Sequence, residues 1–348
     1  MTHRVLFETE FAVVQAPMAG VQGQALAAAV CRVGGLGSLP AAMLTPEALQ
    51  AELVALTTAT SAPFNLNFFC HVPPVPDAAR EAAWRRALAP YAAELGADVE
   101  NAAAGAGRAP FTHAVADVIE PFRPAVVSFH FGLPDADLLA RVRSWGATIL
   151  SSATTVDEAR WLEAHGADAI VAQGVEAGGH RGMFLIDQLT TQLGTFALLP
   201  QVAAAVGVPM IAAGGIVDAS GVRAAIALGA CAVQAGTAYL LCPEATTGAV
   251  HRAALASPER SHTALTNLFT GRPARGIVNR LMRELSPISA LAPAFPLAGA
   301  AIAPLRAKAE AAGSGDFSPL WCGQNASGCR NVPAADVTRA LAEGFSPG

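Results

Sequence analysis

Short apolar runs alternate with Ala-rich stretches of helical period along most of this chain. That alternation is the pattern of parallel β/α units, whose strands are covered on both faces. The runs predict strands at residues 13–18, 36–40, 64–69, 125–129, 148–151, 169–173, 208–212 and 232–234. Helices are predicted between them at 25–32, 46–56, 136–143, 156–165 and 219–228. Trp145-Gly-Ala147, His165-Gly-Ala167 and Leu228-Gly-Ala230 stand where a helix hands over to the next strand, as a C-capping glycine does. About eight such units predict an α/β fold, a TIM (β/α)8 barrel. An open doubly wound sheet is the main rival. Its dinucleotide fingerprint belongs in the first βα turn, where Met18-Ala-Gly-Val-Gln-Gly23 lacks the G-x-G-x-x-G spacing.

Two regions interrupt the repeat. Residues 73–107 hold a helical piece, Ala78–Leu95, and then a small-residue linker; residues 262–301 are rich in Pro, Leu and Arg. We expect residues 73–104 and 262–301 to form a small helical cap, or substrate domain. The barrel then comprises 1–72, 105–261 and 302–348, its tail from Leu305 returning to the wall.

The 348 residues are 53% hydrophobic, enough for a large core, and only 14% charged, with a net charge of −5. No basic stripe points to nucleic acid. Lys308 is the only Lys, so there is no Walker-type phosphate loop, and a Schiff base would have to form there. Cys31, Cys70, Cys231, Cys242, Cys322 and Cys329 form no C-x-x-C pair, which argues against zinc and for buried thiols, although Cys322 and Cys329 are near enough in sequence to approach each other. The amino terminus lacks the apolar core of a signal peptide, and no apolar run reaches the ~18 residues of a membrane span. We expect a soluble cytoplasmic protein, monomer or homodimer, with no membrane or nucleic-acid partner.

In a TIM barrel the active site lies at the carboxyl ends of the strands. The predicted ends collect Met18, Asn67, His130, Gln173, Gly214-Gly215 and Gln234-Ala235-Gly236-Thr237. Gly214-Gly215 and Gly236-Thr237 follow the seventh and eighth strands, where phosphate sites recur; a tight turn and a helix N-cap are the plainer readings. Asn65 and Asn67 share one face of an apolar strand, and a buried amide needs a partner, either a ligand edge or a neighbouring backbone. Gln173 invites the same reading. His130 is either a substrate-facing imidazole or a hydrogen-bonded core histidine, and His71 reads as structural. The richest segment is Glu176-Ala-Gly178-Gly179-His180-Arg-Gly182, after the apolar run 169–172. Its glycines permit close backbone approach to a ligand and His180 offers an ionisable group.

These segments, in order along nearly the whole chain, resemble the FMN-dependent nitronate monooxygenases, formerly 2-nitropropane dioxygenases, and within them the bacterial group that oxidises propionate 3-nitronate. The matching stretches include Gln15-Ala-Pro-Met18, Phe64-Asn-Leu-Asn67, Val127-Ser-Phe-His-Phe-Gly132, the 171–182 loop, Ala212-Ala-Gly-Gly-Ile216, Ala232-Val-Gln-Ala-Gly-Thr-Ala238 and Trp321-Cys-Gly-Gln324. The resemblance implies FMN bound by Met18, Asn67, Gln173, Gly178, Gly179, Gly214, Gly215, Gln234, Ala235, Gly236 and Thr237, with His180 as base or substrate-orienting group and His130 as a second pocket residue. It also shows a departure. Where better-known members place two Tyr and one Lys in the substrate pocket, this chain has Phe295, Gly299 and Ala303. A pocket built so has lost a cation for a carboxylate, and little preference for carboxylate-bearing nitronates is expected of it.

The reaction so implied is oxidative denitrification of a nitronate by O2 to a carbonyl compound and nitrite. Two other readings stand beside it. One is an NAD(P)H-dependent FMN reductase acting on a quinone or enoyl thioester, since such barrels carry a similar Gly-Gly-His loop. The other is a flavin-binding protein without activity, for which the changed 295–303 segment speaks.

Overall fold

The computed structural model describes residues 6–102 and 108–345. The predicted domain boundary at 104/105 lies outside them.

Eight parallel strands form the central sheet: β1 (Val13–Gln15), β2 (Gly37–Pro40), β3 (Phe64–Phe69), β4 (Val126–His130), β5 (Thr148–Ala153), β6 (Ala169–Gln173), β8 (Met210–Ala213) and β9 (Ala232–Ala235). Each lies beside its predecessor, and β9 pairs with β1 in the register Val13↔Val233. A parallel bridge between Val14 and Leu36 joins β1 to β2 and closes the ring. The structure is the TIM barrel that the apolar periodicity predicts.

The helices between these strands are α1 (Gln24–Arg32), α2 (Pro46–Ala59), α4 (His113–Ile119), α5 (Ala136–Ser144), α6 (Val156–Ala164), α7 (Thr195–Ala205) and α8 (Ala219–Ala227). Thr45, Thr155 and Asp218 cap three of them by accepting backbone N–H bonds, Pro46 following Thr45 at the first helical position. After β9 comes α9 (Ala249–Ala256), but the last wall position goes to α12 (Ala334–Ala342), which lies against α1, α8 and β1. The Tyr239 and Thr338 hydroxyls, 2.9 Å apart and buried, fix that return of the tail.

Strand alternation decides what the barrel holds. In β3, Leu66 and Phe68 point outward to Leu53 and Leu56 of α2, while Asn65 and Asn67 point inward. The lower interior is apolar, with Val14, Leu36, Leu150, Val171 and Ile211 closed from beneath by Phe7. The upper interior is polar. There Asn65 donates to the Ser38 hydroxyl at 2.9 Å and Asn67 to the Ser128 hydroxyl at 2.9 Å.

A smaller part sits on this barrel. Helix α3 (Ala78–Leu95) packs against α11 (Ala298–Ala311), with Trp84, Leu88 and Tyr91 meeting Ile302 and Leu305. The Trp84 indole donates to the Ala298 carbonyl at 3.1 Å. Arg280, on the short α10 (Arg280–Glu284), reaches Glu94 of α3 at 2.7 Å. The 262–301 region also holds two strands for which the hydrophobic pattern gives no signal, β10 (Thr263–Thr266) and β11 (Ala274–Ile277). They pair antiparallel, and β11 pairs on with β7 (Gly179–His180), so a second sheet grips the glycine-rich loop.

Candidate active site

One large cavity opens at the carboxyl ends of the barrel strands. Met18, Asn67, His130, Gln173, Gly178, Gly179, His180, Gly214, Gly215, Gln234, Gly236 and Thr237 all stand in its wall. Ala235 does not; it is buried in the layer beneath, where its carbonyl accepts from Ala16. Phe295, Gly299 and Ala303 are not in the wall either. Phe295 stands behind it, its ring 5.4 Å from that of His180 and 4.8 Å from that of His71. Gly299 turns toward the Phe269 carbonyl and Ala303 is exposed, because α11 directs Ala301, Ile302 and Leu305 at α3 and the cluster around it.

His180 is held at both ends. Its carbonyl accepts from the Gln173 amide at 3.0 Å and lies 3.2 Å from His130 Nε2. Its ring Nε2 lies 2.9 Å from the Thr270 hydroxyl, which donates to the Arg272 carbonyl at 3.3 Å. A hydroxyl whose proton goes to a carbonyl must accept from the imidazole. Nε2 of His180 therefore carries the hydrogen, and Nδ1 presents a lone pair. For His130 the same reasoning fixes both nitrogens. Nε2 donates to the His180 carbonyl, so Nδ1 accepts from the Ser152 hydroxyl at 3.0 Å. Gln173 is likewise occupied at both ends, its oxygen accepting from Gly182 N–H at 2.8 Å.

Two glycines of the loop are required by protein rather than by a ligand. A Cβ on Gly178 would stand 2.6 Å from the Gly323 nitrogen, and one on Gly182 would stand 2.9 Å from the His130 ring. The loop is thus pressed between β4 and the segment around Trp321, itself bridged to β11 through Gly276.

The family model described as nitronate monooxygenase matches residues 2–344. This chain belongs to the nitronate monooxygenase family. A curated nitronate monooxygenase of Pseudomonas aeruginosa is 43% identical over 336 residues, 95% of each chain. One of Paraburkholderia phytofirmans is 42% identical, covering 94% of this chain and 90% of its own. Among solved structures, nitroalkane oxidase from Streptomyces ansochromogenes superposes with a TM-score of 0.87 at 40% identity, covering 98% of this chain and 96% of its own. FabK from Thermotoga maritima superposes at 0.72 with 24% identity, a likeness of fold alone. The chain is an oxidoreductase of a family that is flavin-dependent in general.

The wall of this cavity offers polar groups that the protein itself leaves unpaired. Among the described residues, no protein acceptor meets the backbone N–H of Gly215, Ile216 or Gly236. Such free donors, following the last two strands of the ring, make an anion cradle. The Thr237 hydroxyl is beside them, where it accepts from Gly323 N–H at 2.9 Å. The Gln234 amide is half-buried in the wall and has no partner among the described residues. No helix of the described residues is long and apolar enough to cross a membrane, and none of their His, Cys, Asp and Glu side chains cluster as a metal site.

Electrostatically the cavity favours neutral histidines. Burial, then the nearby Arg272 and Arg181 charges, pushes His130 down to about 3. Burial and then the charge of Arg108 hold His180 well below the usual imidazole range. His71 falls to about 4, again chiefly by burial, and so does His251, whose Nε2 donates to the Trp321 carbonyl at 3.0 Å. A stability consequence follows. An unfolded histidine takes a proton near 6.5, whereas these stay neutral in the fold until about pH 3 to 4. Below pH 6.5 the unfolded chain therefore binds more protons, and stability falls as pH drops through that window. By pH 5 His130 and His251 are each expected to withdraw roughly 2 kcal/mol, with a smaller share from the less deeply buried His71. Melting curves from pH 7 to 5 should show a steep decline, and a flat melting temperature would reject the buried neutral rings.

Arg108, Ser152 and Thr270 take part in this site although the sequence reading did not single them out. Each lies outside the glycine-rich segments and is brought in by tertiary packing, which leaves no local signal.

Proposed function

We propose that this protein catalyses FMN-dependent oxidative denitrification of alkyl nitronates by O2, giving a carbonyl compound and nitrite. The observation that carries the reading is a single cavity joining a cradle of unpaired N–H groups to an imidazole with an open lone pair. When bound, FMN supplies the electron-transfer chemistry that lets a stabilised carbanion react with dioxygen. Gly215, Ile216, Gly236 and Thr237 would receive its phosphate, and Asn67 and Gln234 would meet its polar edge. Met18, Gly178, Gly179 and Gly214 would shape the wall against it. Gln173 and His130 position His180 through its carbonyl. His180 Nδ1 takes the α-proton of a neutral nitroalkane, or orients the nitro group of a nitronate. In this reading residues 1–72, 105–261 and 302–348 form the flavin barrel, and 73–104 with 262–301 form the part that covers the substrate.

Purified protein should be yellow, and heat should release FMN and not FAD, since the cradle takes one terminal phosphate and no adenylate fingerprint is present. Nitronates supplied in air should yield nitrite in step with oxygen uptake. A protein that cannot be reconstituted with FMN, or one that holds it and releases no nitrite from any nitronate, would end this reading.

A further inference from the structure

We propose that Arg108 sets substrate preference in this cavity, pairing its guanidinium with a carboxylate carried by the nitronate. The proposal rests on the nitronate reading above and names the substrate class within it.

Among the described residues, Arg108 is the one arginine in the cavity wall, and no Asp or Glu lines that wall. Its guanidinium has no hydrogen-bond or ion-pair partner among the described residues. The neighbouring arginines are all engaged by protein. Arg181 donates to the Gly174 and Gln173 carbonyls, and Arg275 to the Val175 carbonyl. Arg272 donates to the Met183 carbonyl and covers the Phe131 ring at 4.0 Å. A half-buried cation with no acceptor is costly to maintain. Burial lowers the Arg108 pKa, Arg306 adds to the effect, and no acid nearby opposes it. The group is complete only when an anion arrives.

Its position ties that anion to the reacting end of the cavity. The guanidinium lies 6.0 Å from the centre of the Phe295 ring, and that same ring is centred 5.4 Å from the ring of His180. Arg108 is also the charge that His180 feels most strongly. The histidines nearby stay neutral at working pH, so Arg108 is the permanent cation of the wall. A planar guanidinium matches a carboxylate by paired hydrogen bonds, which a nitronate substituent one or two carbons from the reacting atom supplies. The lost Tyr, Tyr and Lys groups are thus not the only route to an anion-selective pocket, because Phe295, Gly299 and Ala303 lie outside the wall while Arg108 lies in it.

The test compares wild type with Arg108→Ala and Arg108→Lys on propionate 3-nitronate and on a neutral alkyl nitronate of similar size. Wild type should favour the carboxylate. Arg108→Ala should lose roughly 10- to 100-fold in kcat/KM on the carboxylate, mostly through KM, and less than about threefold on the neutral substrate. Arg108→Lys should recover part of the loss. Succinate, which has the same two anionic ends and no nitro group, provides a readout without turnover. Calorimetry should show it binding wild-type holoenzyme at least about tenfold more tightly than Arg108→Ala. Equal losses on both nitronates would place the guanidinium on the nitro group and overturn the proposal, as would unchanged preference or succinate affinity. Absence of nitrite from both substrates in wild type would instead overturn the nitronate reading beneath it.

Discussion

His180→Asn is expected to retain its flavin and to lose turnover of a neutral nitroalkane by about 10²–10⁴-fold, the range for removal of a general base. Retention follows from geometry, because the unpaired N–H groups lie at Gly215, Ile216 and Gly236, on other loops. The loss follows from the tautomer. Thr270 keeps the hydrogen on Nε2, which leaves Nδ1 to take the proton, and an amide oxygen accepts hydrogen bonds but is too weak a base to take that proton. A preformed nitronate, its proton already gone, should suffer far less. The pH profile adds a second check. Burial holds His180 well below the ordinary imidazole range, so its neutral, proton-accepting form persists on the acid side. The acid limb of kcat/KM for the nitroalkane should therefore lie well under pH 6.5 rather than near it. Equal losses on both substrates would make His180 a positioning residue, and unchanged rates on both would remove it from the chemistry.

Much of the fold was legible because burial on both faces leaves a strong mark. The runs Phe64–Phe69 and Ala169–Gln173 coincide with β3 and β6, every residue of which is buried. Ala78–Leu95 coincides with α3 between its Asp77 cap and Gly96. Edges drift where tertiary contacts decide them. The first run continues to Met18, yet β1 ends at Gln15, since the next residues turn back over Gln22, whose side chain accepts from Met18 N–H at 3.0 Å. The β10–β11 hairpin left no trace because Arg275 and Gly276 interrupt a strand of four residues, and its partner β7 lies about 95 positions away.

The site was legible in the same uneven way. A glycine-rich loop after an apolar strand marks where His180 sits, but the pattern cannot say what each glycine faces. Gly178 and Gly182 answer to Gly323 and His130. Nor can it tell which histidine keeps a ring nitrogen open to the cavity. His130 and His180 both end or follow strands, and only the partners of their four ring nitrogens separate them. Arg108 follows a stretch of small residues with no periodicity, so its place in the wall depends wholly on long-range packing.

Arg181→Met should be the most destabilising single change beside the site. Arg181 is fully buried, and it donates to the Gly174 and Gln173 carbonyls at 2.7 Å each and to Gln192 Oε1 at 2.9 Å. Burial lowers its pKa only to about 10, so it remains charged at neutral pH. Gln192 in turn donates to Thr154 at 3.0 Å, and the buried Glu158 carboxylate accepts from Thr154 and from Phe184 N–H. The arginine thereby ties the loop before His180 to the loop after it. Methionine approximates the volume and supplies no donor, which strands the Gln173 carbonyl and the Gln192 amide oxygen at about 1–3 kcal/mol each where water cannot reach them, and leaves the Gly174 carbonyl with its bond from Ala177 N–H alone. A loss of roughly 3–5 kcal/mol is expected, a large share of a typical folding stability. Urea denaturation of holoprotein would measure it, with Arg160→Met as the control, since Arg160 is solvent-exposed and, among the described residues, pairs with Asp157 alone. Turnover should fall as well, because His180 is held by the backbone that Arg181 fixes. A midpoint for Arg181→Met no lower than that of the control would mean that the barrel holds this loop without the arginine.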